Sequence, residues 1–216
     1  MPPDITCDNI FLFDNKIREK FGNVDLICGV DEVGRGCISG PIVAAAVVFS
    51  KKVFIPYLKE SKSISSHKRE QFFNKILLVA TDVSCSIVPT REINRIGIGE
   101  ANLLAIKNAV EKLSVKPKVI VVDGYQNPYL NNIDVIQYNV IKGDKKSAVV
   151  AAASIVAKVI RDYILKIYHK IFPYYDFENN KGYPTKKHIL SISQIGISEL
   201  HRYYAYKFVN TRLKNG

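Results

Sequence analysis

Five short apolar runs along the chain predict five β-strands. In the run at 81–89, Val83, Cys85 and Ile87 recur at every second position, which is the period of a strand with one buried face. The turn between the first two runs is too short for a parallel crossover, so these strands are predicted to pair antiparallel. The predicted strands cover residues 25–33, 41–49, 81–89, 118–123 and 133–141.

Segments with helical signals precede, separate and follow these strands. Ser65 or Ser66 is suited to cap one helix, and Pro184-Thr185 precedes the start of another. The order of elements after a lead-in helix is β-β-α-β-α-β-β-α, which favours an α/β fold with one mixed sheet between layers of helices. The predicted helices cover residues 9–20, a segment from 65 or 66, 93–113 with an interruption near 97–99, 147 to about 170, and 186–193.

Composition narrows the class of protein. The 216 residues are 47% hydrophobic, enough for one domain with a sizeable core. No apolar run approaches the ~20 residues that span a bilayer, and the N-terminus lacks the pattern of a signal peptide. The four cysteines are scattered without a Cys-x-x-Cys pair, which argues against a zinc site and a disulfide framework. We therefore expect a cytoplasmic protein without membrane contact.

The charge distribution indicates a polyanionic partner. The net charge is +11, and residues 181–216 hold seven Lys and Arg against one acid, Glu199. Basic residues mixed with aromatic ones can follow a nucleic-acid backbone and stack on sugars or bases, although a solvated basic tail would have the same composition. The basic residues are Lys181, Lys186, Lys187, Arg202, Lys207, Arg212 and Lys214, and the aromatic ones are Tyr183, Tyr203, Tyr204, Tyr206 and Phe208.

Candidate chemistry begins at the end of the first predicted strand. Asp31 and Glu32 close its apolar run, and the turn Gly34-Arg35-Gly36 follows directly. Carboxylates at a buried strand end are costly unless a cation pairs with them. The turn can bring backbone N–H groups and a guanidinium close to a phosphate or sugar. The alternative is a solvated strand end followed by a tight turn.

Acidic residues recur at two further edges. Asp123 ends the fourth predicted strand, and Asp144 lies between the fifth strand and an alanine-rich helix. If all four carboxylates converge, divalent cations such as Mg²⁺ or Mn²⁺ must neutralise them, and two such ions ~3.5–4 Å apart suit phosphodiester hydrolysis. Asp123 and Asp144 could instead be turn or cap residues. Because neighbours in a strand face opposite sides, Asp31 and Glu32 share a site only if the strand is already ending there.

Other polar residues are expected to lie outside this group. Asp162 falls ~22 Å along the predicted helix, so we expect a surface residue beside Arg161. The four histidines show no metal-ligand spacing, and His188 and His201 are expected to contact phosphate or to be structural.

These motifs resemble bacterial ribonuclease HII, a type 2 ribonuclease H. They occur in the family's order and spread over residues 29–202. The matching segments are Gly-Val-Asp-Glu-Val-Gly-Arg-Gly at 29–36, Val-Val-Asp-Gly at 121–124, Lys-Gly-Asp at 142–144, Ala-Ala-Ala-Ser-Ile-Val-Ala-Lys-Val-Ile-Arg-Asp at 151–162, Lys-Gly-Tyr-Pro-Thr at 181–185 and His-Arg at 201–202.

The resemblance implies an RNase H-like three-layer α/β fold with a mixed five-stranded sheet and a helical C-terminal extension. It implies a single domain over 1–216, with a catalytic core over about 1–172 and a basic substrate-binding part over about 173–216. It implies a monomer with Mn²⁺ or Mg²⁺ as cofactor, and a role in removing ribonucleotides from DNA. The implied reaction is hydrolysis 5′ of ribonucleotides in RNA–DNA hybrids or in duplex DNA, which leaves 3′-hydroxyl and 5′-phosphate ends.

The resemblance also assigns residues. It implies that metal is held by Asp31, Glu32, Asp123 and Asp144. The Gly34-Arg35-Gly36 loop would read the 2′-hydroxyl, the group that distinguishes RNA from DNA, and Tyr183 would pack on the neighbouring sugar. Lys62, Ser154 and Lys158 would contact phosphates.

Two departures and two alternatives accompany this interpretation. Glu60 stands where the family usually has Asp, and Tyr203-Tyr204-Ala205 replace the usual small residue and Phe.

Only 30 residues precede Asp31, too few for the N-terminal domain of the related ribonuclease HIII. The alternatives are a non-catalytic nucleic-acid-binding protein, which would gain nothing from clustered carboxylates, and a different nuclease or recombinase that cleaves all-DNA substrates.

Overall fold

The computed structural model describes residues 5–125, 128 and 135–205. Its strands are β1 (Ile27–Val33), β2 (Ile42–Phe49), β3 (Asp82–Val88), β4 (Val119–Asp123) and β5 (Ile136–Val140). Its helices are α1 (Ile5–Lys20), α2 (Ser66–Val79), α3 (Thr90–Ile96), α4 (Ile98–Glu111), α5 (Gly143–Lys146), α6 (Ala148–Ile171), α7 (Phe177–Asn180) and α8 (Lys186–Ile195). Predictions for strand positions 133–134 and for Tyr206, Lys207, Phe208, Arg212 and Lys214 lie outside the described residues.

The five strands form one mixed sheet in the order β3-β2-β1-β4-β5. β1 and β2 pair antiparallel, as their short connection predicted, and β2 and β3 also pair antiparallel. β1, β4 and β5 run parallel to one another. Because these three strands end at the same edge of the sheet, the acidic residues near their C-terminal ends come together. The predicted α/β fold is confirmed.

Two helical layers cover the sheet, and β1 contributes to both cores. Ile27 packs in the core beneath α6, whereas Cys28 and Val30 pack in the core beneath α4. Helix α6 lies directly on β1, since a Cβ atom at Gly29 would stand 2.1 Å from the carbonyl carbon of Val149. Only glycine permits this approach, so residue 29 fixes how closely the layers pack.

The helix boundaries follow the sequence signals with small shifts. Ser65 is the N-cap of α2, where its side chain accepts a hydrogen bond from the Lys68 backbone N–H. The interruption predicted near 97–99 is Gly97, whose φ of 84° separates α3 from α4. Helix α3 begins at Thr90, three residues earlier than predicted, directly after Pro89.

Helix α1, predicted only as a lead-in, is tied to the start of α6. Asp14 Oδ2 accepts a hydrogen bond from the Val149 N–H at 3.0 Å. Ser147, the N-cap of α6, accepts one from the Val150 N–H at 3.4 Å. These bonds satisfy donors that a helix N-terminus leaves unpaired, so α1 stabilises the end of α6 nearest Asp144.

The C-terminal part packs on the second half of α6. Leu165 of α6 shares a hydrophobic cluster with Phe177, Ile189 and Ile192 from α7 and α8, and with Ile38 from the segment after β1. Helix α6 ends at Ile171, close to the proposed division at about residue 172. None of the described helices has the length and apolar character needed to cross a membrane.

Candidate active site

The candidate site lies where β1 extends beyond β4. Pairing between β1 and β4 is recorded only as far as Val30 with Val122, whereas pairing between β1 and β2 continues to Val33. The strand ends at Val33 as predicted, one residue beyond Glu32, so Asp31 and Glu32 do not lie in the turn that follows it. Asp31 and Glu32 instead occupy a part of β1 that runs past its parallel neighbour, so both can lie near the end of β4.

Asp31 and Glu32 keep the opposite directions of neighbouring strand residues. Asp31 faces α6, where the Ser154 hydroxyl bonds to it, and Glu32 faces α4, where the buried Asn102 lies beside it. Asp123 at the end of β4 interacts electrostatically with both carboxylates. The two residues thus reach one site from opposite sides of the sheet edge.

Asp123 is connected to Asp144 through the backbone. Asp123 Oδ1 accepts a hydrogen bond from the Gly143 N–H at 2.6 Å, and Gly143 opens the short helix α5 that carries Asp144. Asp123 therefore also binds the backbone of a turn, which is the role that the alternative interpretation gave it. This bond leaves the remaining oxygen lone pairs of Asp123 available and holds Asp144 near the same edge.

Asp123 is the common neighbour of the other three carboxylates. Burial raises the pKa of Asp31 well above its usual value, and the charges of Glu32 and Asp123 raise it further. Burial raises the pKa of Glu32 and that of Asp144, and the charge of Asp123 raises both pKa values further. The group therefore holds more negative charge than its protein surroundings neutralise.

This donor set suits a hard divalent cation. It consists of carboxylate oxygens, which Mg²⁺ and Mn²⁺ prefer, and a bound cation would relieve the mutual repulsion. Nearby protein cations offset only part of it, since Arg35 acts on Glu32 and Lys62 Nζ lies 3.9 Å from Asp144 Oδ2. Among the described residues, no three histidine, cysteine or carboxylate side chains form a ready-made metal cage. The four carboxylates form a looser group centred on Asp123.

The glycine-arginine-glycine turn lies beside this group and presents its outer half to solvent. Gly34 is buried and Arg35 and Gly36 are exposed. Gly34 has a φ of 103°, and a Cβ atom there would stand 2.5 Å from Arg161 Nε. A Cβ atom at Gly36 would lie 3.9 Å from the ring of Tyr183, which is 42% exposed. The loop and Tyr183 therefore form one accessible surface.

Two fully buried arginines hold this surface from behind. Arg161 donates to the carbonyl oxygens of Pro41 at 3.0 Å, Ser39 at 3.1 Å and Lys181 at 2.8 Å. Arg202 donates to the carbonyl oxygens of Gly34 at 2.5 Å, Arg35 at 3.0 Å and Gly40 at 3.1 Å. Together they fix the turn and the backbone next to Tyr183.

Neither arginine was predicted from the sequence to be a structural residue. Arg161 stands four residues after Ala157 and four before Leu165, both fully buried on α6. A basic residue in the apolar stripe of a helix was the available signal, because such a position faces the protein interior.

The three predicted phosphate contacts have different surroundings. The Lys62 side chain is 80% exposed beside the carboxylates. Ser154 is buried, and its hydroxyl lies 2.8 Å from the Ser61 hydroxyl as well as bonding to Asp31. Lys158 Nζ lies 2.6 Å from Asp162 Oδ1. Contact between these side chains and phosphate stays a prediction.

Asp162 is not the surface residue that we expected. Its side chain is 15% exposed and pairs with Lys158 and with Arg69, whose Nη1 lies 3.6 Å away. His188 and His201 are buried and bond to each other, so the structural alternative is the one observed for them.

Comparisons with known proteins show which family of proteins the chain is similar to. Residues 28–211 match a family model described as Ribonuclease HII. A curated Ribonuclease HII from Clostridium perfringens is 44% identical over 197 residues, which cover 90% of this chain and 70% of the relative.

Two solved structures share the fold. The ribonuclease H2 from Pyrococcus horikoshii OT3 has a TM-score of 0.72 and 23% identity, with 88% of this chain and 100% of that chain covered. Bst-RNase HIII in complex with Mn²⁺ has a TM-score of 0.65 and 18% identity, with coverage of 88% and 71%. At these identities the two likenesses concern the fold alone.

Proposed function

The chain belongs to the ribonuclease HII family of endonucleases, which cleave RNA in RNA–DNA hybrids, and from this premise we propose its detailed reaction. It hydrolyses the phosphodiester on the 5′ side of a ribonucleotide, both in hybrids and where a ribonucleotide is embedded in duplex DNA. The products carry 3′-hydroxyl and 5′-phosphate ends. The cellular role is removal of ribonucleotides from DNA, carried out by a monomer in the cytoplasm.

The observation that carries this proposal is the position of Asp123. Its charge acts on Asp31, Glu32 and Asp144 at one sheet edge, beside an exposed turn suited to nucleic acid. These four carboxylates would hold Mg²⁺ or Mn²⁺. When bound, two such ions would supply an activated water and stabilise the departing 3′ oxygen.

The remaining residues bind and orient the substrate. The backbone of Gly34-Arg35-Gly36 reads the 2′-hydroxyl, and the half-exposed ring of Tyr183 packs on the adjacent sugar. Lys62 contacts a phosphate near the cleaved bond. The basic C-terminal part, over about 173–216, supplies much of the sequence-independent attraction to the backbone.

The test is cleavage of end-labelled duplexes that differ in one sugar. One DNA duplex carries a single ribonucleotide and the other is all DNA of the same sequence, each with Mg²⁺, Mn²⁺ or EDTA. We expect metal-dependent nicking 5′ of the ribonucleotide, an intact all-DNA duplex, and no activity in an Asp123→Asn variant. Cleavage of both duplexes would favour the alternative nuclease, and binding without cleavage would favour the binding protein.

A further inference from the structure

Two histidines form a buried pair behind the substrate-contacting surface. His188 of α8 is 0% exposed and His201 is 1% exposed. Their Nε2 atoms lie 3.1 Å apart, and the rings of Tyr175 and Phe177 pack against both. Neither histidine contacts the carboxylate group, so the reaction proposed above does not use them.

The partners of each ring determine where its proton lies. His188 Nδ1 is 2.8 Å from the Tyr183 carbonyl oxygen, which only accepts, so Nδ1 carries the hydrogen. His201 Nδ1 is 2.9 Å from the Ser198 backbone N–H, which only donates, so this nitrogen accepts. His201 Nε2–H therefore donates to the free Nε2 of His188, and both rings are neutral.

This series of hydrogen bonds connects the two parts of the candidate recognition surface, Tyr183 and the Gly34-Arg35-Gly36 loop. At one end, His188 bonds the backbone of Tyr183. At the other end, His201 forms a β-bridge with Ser39. The adjacent Arg202 donates its backbone N–H to Ile38 and its guanidinium to the Gly34 carbonyl oxygen.

We propose that His188 and His201 are positioning residues for ribonucleotide recognition, because their hydrogen bond sets the spacing between Tyr183 and the Gly34-Arg35-Gly36 loop. This inference rests on the function proposed above. The pair acts through Tyr183 and Arg202 and does not touch the substrate.

The surroundings keep the pair neutral. Burial lowers the pKa of His188, and burial together with the neighbouring His188 lowers the pKa of His201 to about 4. The charged group that acts on His188 is Asp176, and the Tyr175 hydroxyl is occupied by the Gly196 carbonyl oxygen. A proton added to His188 would set two Nε2–H groups against each other at the 3.1 Å contact, and a proton added to His201 Nδ1 would face the Ser198 N–H at 2.9 Å.

The first test reads the tautomers directly in the whole, unmodified chain. Long-range ¹H–¹⁵N NMR spectra of the four histidines distinguish Nδ1–H from Nε2–H rings, with His67→Gln and His169→Gln used for assignment. We expect the Nδ1–H form for His188 and the Nε2–H form for His201 at neutral pH. The reverse tautomers, or a charged ring at neutral pH, would overturn the inference.

The second test compares two substitutions at one position. His201→Gln places an amide N–H near the Nε2 position and can still donate to His188, whereas His201→Asn is too short to reach it. We expect His201→Asn to raise KM for a single-ribonucleotide duplex about tenfold, the effect of losing one hydrogen bond, with kcat within about twofold. His201→Gln should stay within about threefold of wild type.

Thermal unfolding of both variants separates positioning from stability. Equal KM values in the two variants, or a KM increase that only follows the loss of stability, would refute the positioning role. A wild-type chain that does not distinguish a ribonucleotide duplex from all DNA would refute the proposed function and this recognition role together. The reverse tautomers in the NMR spectra would refute only the positioning role of the histidine pair and would leave the proposed function standing.

Discussion

The guanidinium of Arg202 donates a hydrogen bond to the carbonyl oxygen of Gly34, across 168 residues of sequence. Gly34 also packs closely against a second guanidinium, because a Cβ atom at this position would stand 2.5 Å from Arg161 Nε. In our proposal, the backbone that reads the substrate is therefore held by two guanidinium groups that are fully buried. A planar group with five fixed donors can satisfy several carbonyl oxygens at once, and a lysine cannot.

Replacing Arg202 by lysine should therefore destabilise the fold and loosen the loop. Lysine keeps the charge but leaves some of the carbonyl oxygens of Gly34, Arg35 and Gly40 unpaired, at about 1–3 kcal/mol for each buried group. We expect a loss of ~3 kcal/mol in urea unfolding and a raised KM. Arg95→Lys is the control, since Arg95 is 70% exposed, and it should leave the urea unfolding midpoint unchanged.

Gly34→Ala should be damaging for reasons of both space and conformation. Its Cβ atom would meet Arg161 Nε at 2.5 Å and the Pro41 carbonyl oxygen at 2.6 Å, at a φ of 103°. We expect at least ~3 kcal/mol lost on unfolding. Gly22→Ala isolates the conformational part, because Gly22 has a φ of 88° and nothing within 4 Å, and should cost ~1 kcal/mol. Similar losses in both variants would contradict the contact with Arg161.

Asp31→Asn should abolish turnover while largely sparing substrate binding. The substitution keeps the shape of the side chain and removes a negative charge that holds metal in our proposal. We expect kcat to fall at least ~1000-fold, with Kd for a ribonucleotide duplex, measured by fluorescence anisotropy, within about threefold. Asp162→Asn is a matched carboxylate outside the group and should keep most activity. Near-normal turnover in the Asp31 variant would remove this carboxylate from the reaction.

Lys62 and Lys158 should differ in how they affect binding in salt. Lys62 is 80% exposed, whereas Lys158 is already paired with Asp162 at 2.6 Å. We expect Lys62→Gln to lower the slope of log Kd against log salt by about 0.9, the effect of one lost phosphate contact. Because Asp162 already offsets the charge of Lys158, the phosphate contact predicted for Lys158 should contribute less, and Lys158→Gln should lower the slope by less than Lys62→Gln. Titrations at a fixed divalent-cation concentration check this, and equal slopes for both variants would reject the assignment.

Asp14 should give the stability a measurable pH dependence. Burial raises its pKa from 3.8 to about 7 in the folded chain, so the folded state binds more protons than the unfolded state between these values. Its contribution is full below pH 3.8 and is lost as pH rises to about 7. Relative to Asp14→Asn, the wild type should lose ~3 kcal/mol between about pH 4.5 and about pH 8 in urea unfolding. A pH-independent difference would mean that Asp14 is charged throughout.

Local pattern predicted the five strands and the longer helices, whereas the four-residue helices α5 and α7 were not predicted. Strand positions emerged from short apolar runs, with alternation in the run at 81–89, and β1 and β2 paired as their short turn required. Convergence of the acids stayed conditional in the sequence, because the parallel pairing of β1, β4 and β5 that brings their ends to one edge was not predicted. Asp31 and Glu32 face opposite sides of β1 as the strand period predicted. The extension of β1 beyond β4, which lets both approach Asp123, could not be predicted because it depends on where β4 stops.

The long-range polar contacts could not be predicted in this way. Arg161 bonds carbonyl oxygens about 120 positions away in sequence, and Asp14 bonds Val149 at a separation of 135. Backbone carbonyl and N–H groups look alike in every sequence, so nothing local indicates which of them will satisfy a buried charge.

The separation between Gly34 and Arg202 also sets an order of assembly during synthesis. The four carboxylates and all five strands are translated by residue 144, whereas the turn at Gly34 waits for Arg161 and then for Arg202 near the end of the chain. A nascent chain therefore contains every strand of the sheet and the four acids of the site before it contains the two arginines that hold the Gly34-Arg35-Gly36 turn. In our proposal, the turn that reads the substrate is therefore fixed only after Arg161 and Arg202 have been translated.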